Sequence, residues 1–295
     1  MHLLANFPII ILILFLCYSN CNHVYLKPFL FLMISPLASI HPKAKIGVDV
    51  HFDPFTMIHE NVEIGDGTWI GSNVTLMPGA RIGKKCRIFP GAVLSAIPQD
   101  LKFAGEETIA EIGDNTTVRE FVTVNRGTKA LGKTSIGKNN LLMAYVHIAH
   151  DCVVGDHCIL ANGVTLAGHI AIDDYAIIGG LSAVHQFVHI GGHVMISGGS
   201  LIRKDIPPFV KAAREPLSYV GINAVGLKRR GFSPEKIAEI QEIYRTIFVK
   251  GHSYSRALEI VETEMSASPE RDEILTFIRN SSRGIMRGYG KADEE

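Results

Sequence analysis

From Ile40 onward an aliphatic or aromatic side chain recurs at every sixth position, through Ile46, Phe52, Ile58, Ile64, Ile70, Leu76, Ile82, Ile88 and Leu94. The phase returns at Ile112, Val118 and Val124, then runs unbroken from Ile136 to Ile202. Only Asp100, Glu106 and Ala130 are out of character. A helix needs apolar spacing near 3.6 and an ordinary strand needs 2, so a strict six over about 160 residues fits neither. It fits a solenoid in which short strands alternate with sharp turns. The residue four after the aliphatic is mostly small or β-branched, as at Val50, Thr56, Val62 and Thr68. Glycine often follows the aliphatic, as at Gly47, Gly65, Gly83 and Gly137, and glycine or asparagine is expected to take the strained turn conformation.

Repeats of this kind resemble the left-handed hexapeptide family. The fold class expected is an all-β solenoid, a left-handed parallel β-helix followed by a small α-helical C-terminal domain. Each coil of that family takes three hexapeptides, so residues eighteen apart share a column and coils stack roughly 4.8 Å apart. Two stretches depart from the repeat and are expected to be loops, Ser95 to Glu111 and Arg126 to Thr134. Loops held by a rigid scaffold often carry function. The prism is placed at residues 33–204 and the linker and helical domain at 205–295. Asp205-Ile-Pro-Pro reads as leading away from it. Ser233, Ser253 and Ser268 stand as N-caps to helices over about 234–250, 254–265 and 269–286.

Lysine plus arginine equals aspartate plus glutamate, 29 against 29, so the total charge gives no reason to invoke nucleic acid. The five cysteines include no C-x-x-C pair and read as thiols of a reducing compartment. Residues 1–32 hold the apolar run Pro8 to Tyr18, of signal-peptide length. No basic residue precedes that run and no clean small-x-small site follows it. The reading is an upstream extension, not kept in the mature protein, of a chain starting at Met33.

Thirteen histidines call for an explanation. Coil arithmetic puts His150, Gly168 and Gln186 in one column and Asp151, His169 and Phe187 in the next. Both lie just after the aliphatic, so their side chains are expected to point outward. An imidazole there can take a proton from an approaching hydroxyl near neutral pH, with a carboxylate such as Asp151 to orient it. The backbone N–H of Gly168 can stabilise the oxyanion of an acyl-transfer intermediate. A zinc site is the rival reading of the cluster, as in gamma-class carbonic anhydrases. His147 and His150 are only three apart and match that ligand pattern poorly, so no metal and no cofactor are expected.

HIAHDC at 147–152, LANGVTLAGH at 160–169, AVHQF at 183–187 and GLKRRGF at 226–232 resemble the UDP-N-acetylglucosamine O-acyltransferase family, over Met33 to about Arg287. The resemblance implies the first step of lipid A synthesis. A 3-hydroxyacyl group passes from acyl carrier protein to the 3-hydroxyl of UDP-N-acetylglucosamine, in the cytoplasm, on a homotrimer with its site between subunits. It implies His150 as general base, Asp151 as its orienting neighbour and Gly168 as oxyanion donor. His147, His169, His185 and Gln186 then line the nucleotide-sugar cleft. Asn223, Arg229 and Arg230 lie near the diphosphate, where paired arginines suit phosphate geometry. Asp100 and Lys102 contact sugar and donor. Gly198 stands where the family measures acyl length, glycine leaving room for a long chain. Asn125 replaces a histidine and Val225 a glutamate of the best-known members, which leaves the ordinary sugar and its 3-amino analogue both open as acceptor. Arg81, Lys84, Lys85, Arg87, Arg126, Lys129, Lys133 and Lys138 are candidates for docking the acidic carrier protein.

Two other readings stay open. An N-acyltransferase of the same pathway shares the prism but carries a uridine-binding domain before it, for which the repeat's start at Ile40 leaves no room. A non-catalytic trimeric scaffold would leave His150 without a role.

Overall fold

A computed structural model describes residues 34–288, so the N-terminal extension lies outside the described residues. These residues form a left-handed parallel β-helix whose strands, mostly two residues long, lie in three sheets of nine, eight and eleven strands, the last counting three C-terminal strands added to it. Each sheet is one face of a three-sided prism. The first face runs from Ser39–Ile40 to Leu201–Ile202, the second from Lys45–Ile46 to His189–Ile190, and the third begins at His51–Phe52. Partners are eighteen residues apart, as in Ser39 with Met57 and Ile40 with Ile58. The aliphatics fill the axis, with Ile70, Leu76, Ile88, Leu142 and Leu160 fully buried. The residue four later also points inward, and where it is threonine its hydroxyl donates to a carbonyl of the next coil, as from Thr68 to Gly83 at 2.9 Å.

The third residue after each aliphatic, and not the first, adopts the left-handed backbone, for example Asp49, Asn61, Gly67, Asn115 and Asp151. The glycines just after the aliphatic therefore serve another purpose than the turn conformation. A side-chain carbon on Gly113 would stand 2.6 Å from the Gly137 carbonyl carbon, and one on Gly65 2.7 Å from that of Gly83. They let successive coils touch backbone to backbone at one corner.

Both loops leave the same corner, between the first and second faces: residues 97–108 after Val93–Ala96, and 126–132 after Thr123–Asn125. Val93 pairs with Thr123, thirty residues on, and Thr123 with His147, twenty-four on. The insertions are thus twelve and six residues, whole hexapeptides, which is why the sixfold phase survives across them.

After the last hexapeptide the chain stays on the prism. Val210–Ala213 continues the third face in parallel with Met195–Ile196 and turns back as Ser218–Ile222. Its alternation has period two, so the six-residue pattern gave no sign of it. Three helices follow at Pro234–Phe248, Tyr254–Glu264 and Pro269–Asn280, each capped by the expected serine hydroxyl. The last ends before residue 286 because the chain turns to pair Ile285 with Asp205 and Arg287–Gly288 with the hairpin. A short helix, Ala224–Arg229, was not foreseen; it holds most of the GLKRR motif. Buried Asp205 joins the two parts, accepting from His189 N at 2.8 Å and Ser281 Oγ at 2.6 Å. Among the described residues no helix is long and apolar enough to cross a membrane.

Candidate functional site

The corner that carries both loops also carries His150, Asp151 and His169, because all follow strands of the first face. His150 and Asp151 do lie at the prism edge, yet they are buried, 7% and 1% exposed, because the 126–132 loop folds over them. His150 Nδ1 is 2.8 Å from Asp151 Oδ2. That oxygen also accepts from Thr128 Oγ1 at 2.7 Å, while Asp151 Oδ1 accepts from the N–H groups of Thr128 at 3.0 Å and Leu131 at 3.2 Å. Asp151 N donates in turn to Thr134 Oγ1 at 2.9 Å. Burial alone would raise the Asp151 carboxyl, but the hydrogen bonds from His150, Thr128 and Leu131 outweigh it and hold the group below its ordinary value. An ionised carboxylate so placed keeps the proton on His150 Nδ1 and leaves Nε2 to accept one.

Gly168 lies one coil on, where a side-chain carbon would meet His150 Cε1 at 2.7 Å. The coil-to-coil ladder uses the N–H groups of Ala167 and His169 and passes over that of Gly168. His169 stacks on Phe187 at 4.8 Å and meets the His150 ring edge-on at 5.1 Å. His147 leads into the corner with Nδ1 2.7 Å from Thr123 Oγ1, and burial lowers its pKa. His185 is exposed and Gln186 half-buried on the same corner. His150, Asp151 and His169 bring possible ligand atoms within 4.8 Å of one another, the spacing a metal ion would use. The Asp151 oxygens are already engaged by four donors, which favours the hydrogen-bonded arrangement.

Other predicted residues lie elsewhere in the protomer. Asn223 bonds the His193 carbonyl at 2.9 Å and Arg230 the Tyr175 carbonyl at 3.1 Å, which places both at the corner between the second and third faces. The Arg230 guanidinium also covers the Tyr175 ring, 5.2 Å from its centroid. Burial, with the Arg230 cation, pushes His193 down to about 4. Arg229 is exposed. Gly198 packs against Gly180 at the remaining corner. In the first loop Asp100 accepts from Lys102 N at 2.9 Å, closing a local turn. Asn125 is buried and donates to the Ile97 carbonyl at 3.0 Å, whereas Val225 is exposed. Of the basic candidates, Arg81, Lys84, Lys133 and Lys138 are paired with Glu63, Asp66, Glu111 and Asp114. Thr128 and Thr134 were not foreseen. The only sign of Thr128 was its place in a six-residue insertion beside a histidine-rich coil, and Thr134 lies in the strand just after it, Lys133–Ile136.

Residues 205–286 match the family model described as UDP N-acetylglucosamine O-acyltransferase, domain 2, and residues 61–96 and 133–168 match that of the bacterial transferase hexapeptide. A curated relative from Janthinobacterium, named acyl-[acyl-carrier-protein]--UDP-N-acetylglucosamine O-acyltransferase, is 45% identical over 86% of this chain and 99% of its own length. One of the same name from Thiobacillus denitrificans is 46% identical with the same coverage. Among solved structures, a UDP-N-acetylglucosamine acyltransferase from Bacteroides fragilis is 56% identical with a TM-score of 0.85, covering 86% of this chain and 100% of that one. The enzyme from Francisella novicida gives 40% and 0.85 over 88% and 96%. A three-sided prism of six-residue repeats with a buried histidine–aspartate pair at a looped corner, matched over 86% of the chain by such relatives, places the chain in the UDP-N-acetylglucosamine O-acyltransferase family.

Proposed function

We propose that this chain transfers a long (R)-3-hydroxyacyl group from acyl carrier protein to the 3-hydroxyl of UDP-N-acetylglucosamine, opening lipid A synthesis in the cytoplasm, with His150 as general base. The observation that carries the reading is the His150–Asp151 pair, 2.8 Å apart and closed over by a loop. His150 Nε2 takes the hydroxyl proton as the sugar oxygen attacks the thioester carbonyl carbon. The Gly168 N–H faces the carbonyl oxygen as it becomes an oxyanion. Collapse of the intermediate expels the carrier thiolate, which takes the proton back from His150. Ester, thiol and neutral imidazole result. Asp100, Lys102, His147, His169, His185 and Gln186 hold the substrates, and Gly198 admits the long chain.

The same reading includes a homotrimer, and the three faces support it. The second face alternates charge outward, Lys45, Glu63, Arg81 and Glu111, and suits water. The first face shows Met57, Thr75, Val93, His147, Thr165, Ala183 and Leu201, and the stretch of the third face from residue 141 to 196 shows Leu141, Ile159, Ile177 and Met195. The corner between those two faces exposes Phe55, Phe121, Tyr145 and Leu181, 53–79% each. Packing the first face of one copy on the third face of the next is a heterologous contact that closes as a ring. It puts that apolar corner at the axis and brings the His150 corner against the neighbouring copy's second-to-third corner, the one that carries Asn223, Arg229 and Arg230. The division of the site over two corners then follows from its being shared.

The test is acyl transfer from 3-hydroxyacyl carrier protein to UDP-N-acetylglucosamine by the full chain, with His150→Ala alongside. Product from the first and almost none from the second is expected. No product from a well-folded trimer would overturn the substrate pair and turn attention to the 3-amino sugar.

A further inference from the structure

The 126–132 loop supplies three of the four donors to the Asp151 carboxylate, and two of those come from one residue, Thr128. Its N–H holds Oδ1 at 3.0 Å and its hydroxyl holds Oδ2 at 2.7 Å, so the carboxylate plane is set from both sides. Thr128 is itself fixed. Its carbonyl accepts from Gly132 N at 2.7 Å, and the preceding Gly127 carbonyl accepts from buried Thr108 Oγ1 at 2.5 Å. No side chain fits at Gly127, where a carbon would stand 2.3 Å from Lys133 N. The loop is therefore a rigid clamp, and its hydroxyl bears on the same oxygen that meets His150 Nδ1.

We propose that Thr128 is a positioning residue for acyl transfer, holding Asp151 so that Oδ2 lies in line with His150 Nδ1 and shares its negative charge between hydroxyl and imidazole. This rests on His150 being the base. The Thr128 hydroxyl gives up no proton in the reaction; it donates a hydrogen bond to Oδ2 and so directs the carboxylate. Without it, Oδ2 loses one of two donors and turns more of its charge toward the imidazole, and the carboxylate plane is set only by the N–H groups on Oδ1. A protonated His150 is then held more tightly, so the base is silenced at a higher pH, and the neutral ring spends less time aligned. The other titratable group in contact is His169, whose Nε2 is 3.8 Å from Asp151 Oδ2. Of the loop's cations, Arg126 donates to the Pro78 carbonyl and Lys129 is exposed; Lys133, just after the loop, is paired with Glu111 on the second face.

The experiment compares full-chain wild type, Thr128→Val, Thr128→Ser and His150→Ala, measuring kcat, the KM for the nucleotide sugar, and kcat/KM against pH. Thr128→Val is expected to lower kcat roughly tenfold, the scale of one hydrogen bond to a charged group, with KM little changed and the acid limb moved to higher pH. Thr128→Ser restores both. Should the valine variant fail to fold, Thr128→Ala removes the hydroxyl without adding a methyl and is read the same way. An acid limb that stays put, a change confined to KM, or a serine variant as impaired as valine would overturn the proposal. Activity surviving in His150→Ala would instead overturn the base on which it rests, a separate and recognisable outcome.

Discussion

Gly168 lies so close to the ring of His150 that a side-chain carbon on it would be 2.7 Å from Cε1 and 2.8 Å from Nε2. The ring can retreat only by drawing Nδ1 away from Asp151, which the loop above holds in place. Gly168→Ala should therefore push the imidazole off its line while the buried axis is untouched. A loss of about 10²-fold in kcat is expected, with the melting temperature nearly unchanged, the cost of a misplacement near 1 Å. Steady-state kinetics beside a thermal melt decide it; an alanine variant with wild-type kcat would show that the ring position is not critical.

The glycine corner makes a contrasting prediction. At Gly113 the three nearest atoms to an added carbon are all backbone, the Gly137 carbonyl carbon at 2.6 Å, its oxygen at 2.7 Å and Lys138 N at 2.8 Å, and backbone cannot swing away as a side chain does. Gly113→Ala should destabilise the prism by roughly 1–3 kcal/mol, in the range of overpacking. Denaturant unfolding measures this, and the molecules that remain folded should keep their kcat.

His193 links stability to pH. Its folded pKa, about 4, lies below the 6.5 of a free imidazole. Between those values the unfolded chain binds a proton that the folded chain refuses. The contribution is thus complete above about pH 6.5 and is lost as pH falls toward 4. Asp151 adds to the same trend lower down, since its depressed folded pKa gives stability above the usual carboxylate range that disappears in acid. Thermal melts from pH 7.5 to 4.5 should show the midpoint falling, and His193→Asn should flatten the upper part of that fall. A variant with the same slope as wild type would remove His193 as its source.

The trimer reading is tested on the outward row of the third face. Ile159 and Ile177 stand there half-buried in the lone protomer. Ile159→Lys sets a charge in the middle of the proposed contact and should yield monomers by sedimentation, with activity down by more than tenfold because the two half-sites separate. Lys45→Ala on the charged second face should leave both properties unchanged. Trimers that persist in Ile159→Lys would place the contact elsewhere.

Helix capping gives a smaller effect. Ser268 Oγ accepts from Arg271 N at 3.1 Å and also bonds Glu239 of the preceding helix pair. Ser268→Ala should cost about 1 kcal/mol, and Ser253→Ala, whose cap is longer at 3.4 Å, less. Chemical unfolding of the two variants compares them.

The amino-acid order alone determined the prism, because a buried axis accepts only apolar side chains and the coil repeats them every sixth residue from Ile40 to Ile202, broken only at the two loops. It also determined the adjacent columns that begin at His150 and Asp151 and the serine caps, since these depend on spacing along the chain. The hairpin at 210–222 escaped it, for there the period changes and the partner strand is set by what lies beneath. So did the role of the corner glycines, which follows from how near the next coil comes and not from their own torsions. Only the tertiary structure decided that His150 and Asp151 are covered and not open, because a six-residue insertion with no pattern of its own brings Thr128 back across them. Only it separated Asn223 and Arg230 from His150 onto a different corner, since which edge a C-terminal segment reaches depends on contacts with Tyr175 and His193, far away in the chain.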